Sequence, residues 1–172
     1  RGLGDVYKRQ VIVYDELEAS EAVRWEWLLH SPTEFKMDAT KKTLSTNNKI
    51  KGWMAVTQLF GGHVFTLSQT DRFVVPPAIT GAEYPNQWHL TARVDGCSAT
   101  RFLAIIQVGD EAVPIINRDG DTFNVGDWTI KAVLDASKAP ELAVSHRTEQ
   151  AVFSYGTDNP ALNGNFYSRQ YT

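Results

Sequence analysis

The sequence predicts an all-β domain, an antiparallel β-sandwich of about ten to twelve strands. Three observations favour this fold. Helix-period patterns are nearly absent, and short runs of alternating apolar and polar residues are separated by Gly, Pro, Asn and Asp. Aromatic residues make up 11% of the 172 residues and include five tryptophans, which is typical of β-rich or carbohydrate-facing domains. No fixed-period repeat stands out, which disfavours a propeller or a β-helix.

The first two predicted strands are VIVYDELEA, which ends near Ala19-Ser20, and AVRWEWLLH, which stops at Ser31-Pro32. The only helix-compatible stretch, residues 15–27, alternates as a strand does. The alternation puts Trp25, Trp27 and Leu29 on one face and Arg24, Glu26 and His30 on the other.

Nine further runs carry strand and turn signals. EFKMDAT and TLSTNNKI resemble a hairpin about Lys41-Lys42, with Asn47-Asn48 as a second turn. FLAIIQV is apolar on both faces, which predicts a central buried strand. The longest irregular connection is residues 76–86. The remaining predicted strands are GWMAVTQLF to Gly61-Gly62, HVFTLSQTDRFVV, QWHLTARV to the Asp95-Gly96 turn with ATRFLAIIQV as partner, a hairpin at Asp119-Gly120, WTIKAVLDA after Gly126-Asp127, and two strands in ELAVSHRTEQAVFSYGT.

Composition excludes several classes of protein. A hydrophobic fraction of 42% with 22% charged residues indicates a globular domain. The net charge of -3 disfavours a nucleic-acid surface. No apolar run approaches the ~20 residues of a membrane span. The single cysteine, Cys97, excludes an internal disulfide and a cysteine-rich zinc cluster.

Both ends of the sequence are unusual for a complete protein. Residues 1–10, RGLGDVYKRQ, lack an initiator methionine and resemble a translated sequencing-adaptor tail. A genuine N-terminal arm is the alternative, and a phosphate loop at GLG is disfavoured because no strand precedes it. We therefore expect the domain to span residues 11–172 and to be truncated at both ends relative to a longer parent protein.

No catalytic signature is present. The four histidines, His30, His63, His89 and His146, lie at no zinc-protease spacing, and no GxSxG serine motif occurs. Cys97 falls in a predicted turn. The acidic string at residues 15–21 favours a solvated strand edge over a pair of glycosidase carboxylates. Asn117, Asp119 and Asp121 have calcium-like spacing but lack the closing glutamate, so a hairpin turn is the better interpretation. We predict neither a catalytic residue nor a metal ligand.

The QWHLTARV strand carries the most suggestive polar face. Trp88, Leu90, Ala92 and Val94 share one side, and His89, Thr91, Arg93 and Asp95 share the other. Such a face could bind an acidic sugar through charge-assisted hydrogen bonds. An ordinary solvent face with cross-strand pairs is the alternative, and Arg24 and Arg101 are open to the same two interpretations. The candidate substrate-binding residues are His30, His89, Arg93 and Arg101.

Four segments together resemble the C-terminal β-sandwich of the heparinase II/III-like polysaccharide lyases, in particular the alginate-lyase-like branch. They are VIVYDELEA, RWEWLLHSP, FTLSQTDRFVVPP and NQWHLTA with TRFLAIIQV. The opening strand is similar to the family's V-V-x-D-x-L strand, and W-x-W-x-L-H is similar to its tryptophan-rich strand. The resemblance covers nearly all of residues 11–172 and rests on strand patterns.

The resemblance implies a longer, exported enzyme, periplasmic or secreted, with an α/α toroid preceding this domain. Such enzymes cleave uronate-containing polysaccharides by β-elimination. In the family a tyrosine, an asparagine and a histidine come from the toroid, and a second histidine and a His/Asp/His zinc site come from the first sandwich strands. Those motifs have no match here, so no residue is assigned to them. We expect no cofactor in this chain, any zinc belonging to the full-length parent. The implied partners are an acidic polysaccharide and the toroid, with no nucleic acid and no membrane.

Two other classes of function remain open. A non-catalytic carbohydrate-binding module would expose a coplanar tryptophan platform, built from Trp25, Trp53, Trp88 or Trp128, whereas a lyase scaffold would bury its tryptophans. An adhesin-like β-domain would show neither clustered histidines nor an aromatic surface. His30 could be a structural residue at a strand end or a sugar-facing group, and we favour the structural role.

Overall fold

The computed structural model describes residues 10–38, 40–47, 54–73, 87–109, 113–148, 153–156, 161–162 and 165–166. These residues form thirteen strands in two antiparallel sheets and no helix, so the all-β, sandwich-like prediction is confirmed. None of them therefore provides a helix that could cross a membrane. The strands are β1 Gln10–Ser31, β2 Lys36–Asp38, β3 Thr43–Asn47, β4 Met54–Gly61, β5 Thr66–Thr70, β6 Trp88–Gly109, β7 Ile116–Asp119, β8 Thr122–Val125, β9 Trp128–Ala132, β10 Leu142–His146, β11 Phe153–Tyr155, β12 Ala161–Leu162 and β13 Asn165–Phe166.

Sheet one has the strand order β1-β6-β4-β3-β2, and β5 pairs with β6 beside β4. The long strand β6 lies at its centre. β1 follows one edge of β6 along nearly its whole length, whereas β4 and β5 share the other edge. The predicted burial of FLAIIQV is confirmed at its centre, where Phe102, Leu103, Ala104 and Ile105 are all 0% exposed.

Two predicted turns are irregularities within long strands. From the sequence we expect a turn near Ala19-Ser20 and another at Asp95-Gly96, each separating two strands. In the structure both places lie within continuous strands of 22 residues, β1 and β6. The β1–β6 register shifts between Glu18 and Val23 and again before Trp25, and Gly96 has a φ of 73°. The turn residues of both strands therefore form a bulged bend rather than chain reversals, because the partner strand continues alongside each of them.

This bend folds sheet one over its own apolar side. Leu29 and Ile106 lie at opposite ends of the β1–β6 pairing, but both line one cavity inside the bend. The first core fills this interior. It is formed by Phe35, Leu44, Leu59, Phe65, Leu90, Ala92, Val94, Phe102 and Ala104, with Trp25, Trp27, Leu29 and Trp88 packed against them. The predicted inward face of the tryptophan strand is thus confirmed.

A second core joins sheet one to sheet two. Leu103 and Ile105 project from the opposite side of β6 and pack with Phe123, Ile130 and Val144 of sheet two. Sheet two runs in chain order from β7 to β13. Sheet two therefore covers the outer side of sheet one only around the C-terminal half of β6.

The hairpin predicted at Asp119-Gly120 is confirmed. Asp119 pairs with Thr122, so Gly120 and Asp121 form a two-residue loop, in which Gly120 has a φ of 58°. Gly126 (φ 60°) makes the next reversal between β8 and β9. The hairpin about Lys41-Lys42 also forms, with Lys42 at a φ of 51°. Asn48 of the Asn47-Asn48 turn, and residues 76–86, lie outside the described residues.

Candidate functional site

Sheet two leaves the outer side of the N-terminal half of β6 exposed, and polar residues, with the exposed Leu28 among them, occupy it. We call this surface the polar face. It is formed by alternate residues of three neighbouring strands: Arg24, Glu26, Leu28 and His30 of β1, His89, Thr91, Arg93 and Asp95 of β6, and Thr66, Ser68 and Thr70 of β5.

Strand alternation explains why these side chains share one surface. The intervening residues Trp25, Trp27, Leu90, Ala92 and Leu67 point to the opposite side and belong to the first core. Burial of that apolar side fixes the register, since a slip by one residue would exchange the two faces. The polar face is therefore held rigidly by the core beneath it.

The register arranges the polar face in three rows across the strands. Arg93 lies between Glu26 and Thr66, Thr91 lies between Leu28 and Ser68, and His89 lies between His30 and Thr70. At the usual strand dimensions the face measures about 13 Å along β6 from His89 to Arg93 and about 10 Å across the three strands. A surface of this size could contact an extended chain of sugar rings.

The two histidines of the face form a stacked pair. The ring centroids of His30 and His89 lie 4.4 Å apart with an interplanar angle of 23°. Phe73 meets the other side of His89 at 5.4 Å, edge-on. Nε2 of His89 is buried and has no hydrogen-bond partner in the described part of the chain. His30 is exposed, so one ring of the pair is accessible and the other supports it.

Arg93, Asp95 and Arg24 form a charge cluster at the other end of the face. Arg93 contacts Asp95 Oδ1 through Nη2 at 2.7 Å and Nε at 2.9 Å, and Arg24 Nε contacts the same oxygen at 3.2 Å. The hydrogen bond from Arg93 holds the pKa of Asp95 below its ordinary value. Each guanidinium group has five N–H donors, so both arginines keep donors for a further anion.

Arg101 lies on the same side of β6 but outside the polar face. It is 4% exposed, since residues 133–138 cover it. Its guanidinium group donates to the carbonyl oxygens of Asp135 at 2.7 Å and Lys138 at 2.8 Å, and to the carboxylate of Glu16 at 3.2 Å. With these partners Arg101 fastens the β9–β10 connection to sheet one, and its side chain is buried there rather than part of the polar face.

The described tryptophans do not form a platform on the surface. Trp25, Trp27 and Trp88 pack against the first core, and Trp128 packs against the second. Trp25 Nε1 donates to the carbonyl of Cys97 at 3.0 Å, and Trp27 Nε1 donates to Asp15 Oδ2 at 2.9 Å. Trp53 lies outside the described residues. The structure thus gives these four side chains the role of scaffold.

No group of three or more metal-ligating residues converges within the described segments. The stacked rings of His30 and His89 lie nearly parallel, so their ring nitrogens do not converge on one point. Asn117, Asp119 and Asp121 lie on the β7–β8 hairpin. Cys97 lies within β6 opposite Val23 and has a free thiol.

The structure adds residues that sequence reasoning did not connect with the site. Thr66, Ser68 and Thr70 of β5 each supply a hydroxyl group at one end of a row, and Phe73 packs against His89. The alternation in TLSQT already placed the three hydroxyl residues on one side of a strand. The missing information was the pairing of β5 with β6.

Comparison with known proteins adds no family assignment. No family model matches the chain, and no curated protein matches it.

Proposed function

We propose that this domain binds a uronate-containing polysaccharide through the polar face, as the β-sandwich part of a polysaccharide lyase that acts by β-elimination outside the cytoplasm. The observation that carries the binding role is the row-by-row arrangement of imidazole, hydroxyl and guanidinium groups on one exposed sheet surface. The lyase assignment rests on the resemblance of RWEWLLHSP and the neighbouring strands to the heparinase II/III-like sandwich.

The chemistry of the face suits an acidic glycan. Guanidinium groups bind carboxylates through charge-assisted hydrogen bonds, and Arg24 and Arg93 keep free donors beside Asp95. The hydroxyl groups of Thr66, Ser68 and Thr91 can donate to or accept from sugar hydroxyls. A uronate chain offers both carboxylates and hydroxyls, so it would match more of this surface than a neutral glycan does.

A non-catalytic carbohydrate-binding module is the second candidate. Its support is that the polar face carries groups that can bind a sugar. Among the described residues of the face, however, no base lies beside a group that would neutralise the carboxylate of a substrate. The same face would serve this role. The two candidates differ in whether the full-length protein forms unsaturated uronate products.

Affinity measurement tests the proposal. Polyuronate and a neutral polysaccharide of similar length are titrated by calorimetry into the wild-type chain and the Arg93→Gln variant. We expect measurable polyuronate binding, weaker neutral-glycan binding, and a loss of about 1 kcal/mol, or about fivefold, in the variant.

Arg147→Gln is the matched control, because Arg147 also contacts one aspartate, Asp127 at 3.1 Å, but lies beyond the end of β10 in sheet two. Equal affinity of both variants for polyuronate would rule out the polar face as the site. Equal binding of the charged and neutral chains by the wild type would rule out the preference for uronate.

A further inference from the structure

A cavity of about 160 Å³ lies inside the bend of sheet one, on the side opposite the polar face. Residues of β1, β3, β4 and β6 line it together with Phe35. Leu29, Leu44 and Ile106 form its apolar walls. Two lining residues, His30 and Pro32, are solvent-exposed, so the cavity reaches the surface at the end of β1.

The cavity is left unfilled because four of its lining side chains are small. Ser31, Thr46, Ala55 and Thr57 all line the cavity. In their strands the residues two positions away on the same side are larger, as Leu29, Leu44 and Leu59 are, and these larger residues fill the first core. The interior of sheet one is therefore packed along most of its length and open at one end.

Thr57 gives the cavity a polar anchor. The residue is 3% exposed, and among the described residues its hydroxyl group makes no hydrogen bond. The hydroxyl of Ser31, by contrast, accepts a hydrogen bond from the Thr33 amide at 3.1 Å. The Thr57 hydroxyl lines the cavity, so a ligand with a polar atom there can form a hydrogen bond with it.

The lining also restricts the charge and size of a ligand. No Asp, Glu, Lys or Arg is among the lining residues that the structure describes. An ion would lose its hydration there without gaining a counter-charge. A dry apolar cavity of about 150 Å³ holds one benzene molecule, so this cavity has room for a single six-membered ring.

We propose that this cavity is a binding site for an uncharged molecule of about one six-membered ring, with its apolar surface against Leu29, Phe35 and Leu44 and a polar atom at the Thr57 hydroxyl. His30, at the mouth of the cavity, is the one described lining residue that also belongs to the polar face. The other described lining residues lie on the other side of sheet one or beyond the end of β1, and the proposal does not depend on polysaccharide binding.

Three probes of one size test the proposal by ligand-observed NMR and calorimetry: benzene, phenol and benzoate. We expect saturable binding of phenol and benzene, with phenol tighter, and no binding of benzoate. Thr57→Val keeps the side-chain shape and removes the hydroxyl. It should weaken phenol binding about fivefold and leave benzene binding unchanged. Thr122→Val, the same substitution in β8, should change neither.

Ala55→Leu fills the cavity and should abolish binding of both phenol and benzene. If that variant does not fold, Thr57→Val alone decides. Absence of saturable phenol and benzene binding to the wild type would overturn the proposal. It would also be overturned if Thr57→Val affected the two probes equally.

Discussion

The imidazole rings of His30 and His89 stack across the β1–β6 pair with their centroids 4.4 Å apart. They lie on a face whose other formal charges cancel, since Arg24 and Arg93 balance Glu26 and Asp95. Beside the face, Asp71 and Arg72 follow β5 and cancel each other as well. The carboxylates and guanidinium groups of this surface are therefore balanced in charge around the stacked pair.

The first prediction is that polyuronate binding uses the stacked pair on the polar face. We expect His30→Gln with His89→Gln to weaken polyuronate affinity roughly fivefold, measured by calorimetry at low salt, because both rings lie in one row of that face. His63→Gln, in the β4–β5 loop, should leave the affinity unchanged. An unchanged affinity in the double variant would contradict this role of the pair.

Arg101 should be required for stability and not for ligand binding. Replacement of Arg101 by Gln leaves the carbonyls of Asp135 and Lys138 without their donor. We expect a loss of about 2–4 kcal/mol in the free energy of unfolding, measured by urea denaturation. Arg147→Gln, an exposed control, should cost less than about 0.5 kcal/mol. If Arg101→Gln reduced polyuronate affinity in the folded protein and left stability unchanged, Arg101 would be a sugar contact.

Gly62 should tolerate no side chain, because a Cβ atom there would overlap the carbonyl group of Leu134. Gly62→Ala must shift the β9–β10 connection and should cost about 2–3 kcal/mol. Gly120→Ala is the control: its φ is 58° and nothing lies near the added methyl group, so only the left-handed backbone opposes it, by about 1 kcal/mol. Thermal unfolding compares the two. Equal losses would show that the Gly62–Leu134 approach is looser than the structure has it.

Trp27 should act as scaffold. Trp27→Phe removes the hydrogen bond to Asp15 and part of the first core, and we expect a loss of about 1–2 kcal/mol in stability with unchanged polyuronate affinity. Intrinsic tryptophan fluorescence followed during a polyuronate titration provides a second check. A strong quench on binding would indicate a tryptophan contact with the glycan and favour a carbohydrate-binding module.

The chain alone should form no unsaturated uronate from alginate, as followed by ultraviolet absorbance. The physical reason is that the imidazoles of His30 and His89 and the guanidinium groups of Arg24 and Arg93 lie at opposite ends of the polar face, about 13 Å apart along β6, too far to act on one sugar ring. Turnover by the isolated chain that is lost in His30→Gln would show that this face is itself an active site.

Sequence alternation predicts which residues share a face, and it does so accurately here. Trp25, Trp27 and Leu29 point inward, and His30 and Glu26 point outward. Local patterns carry this information because successive side chains of a strand alternate regardless of its neighbours. The hairpin at Gly120 is predictable for the same reason, since its signal is confined to four residues.

Features that depend on contacts distant in sequence were not predictable. Arg93 and Arg101 lie on the same side of one strand. They differ in exposure because residues 133–138 cover Arg101 and do not cover Arg93. The turn-like residues at Asp95-Gly96 likewise form a bulge because β1 continues beside them. The row of hydroxyls from β5 depends on a pairing that the sequence does not specify.

The most direct test of the central claim uses the four histidines of this chain as reporters. The imidazole proton resonances are followed by NMR while an oligouronate is added at constant pH. We expect the His30 and His89 resonances to shift in a saturable manner, whereas those of His63, in the β4–β5 loop, and His146, at the end of β10, stay in place. Shifts confined to His63 or His146, or no shift at His30 and His89 at saturating oligouronate, would contradict the central claim.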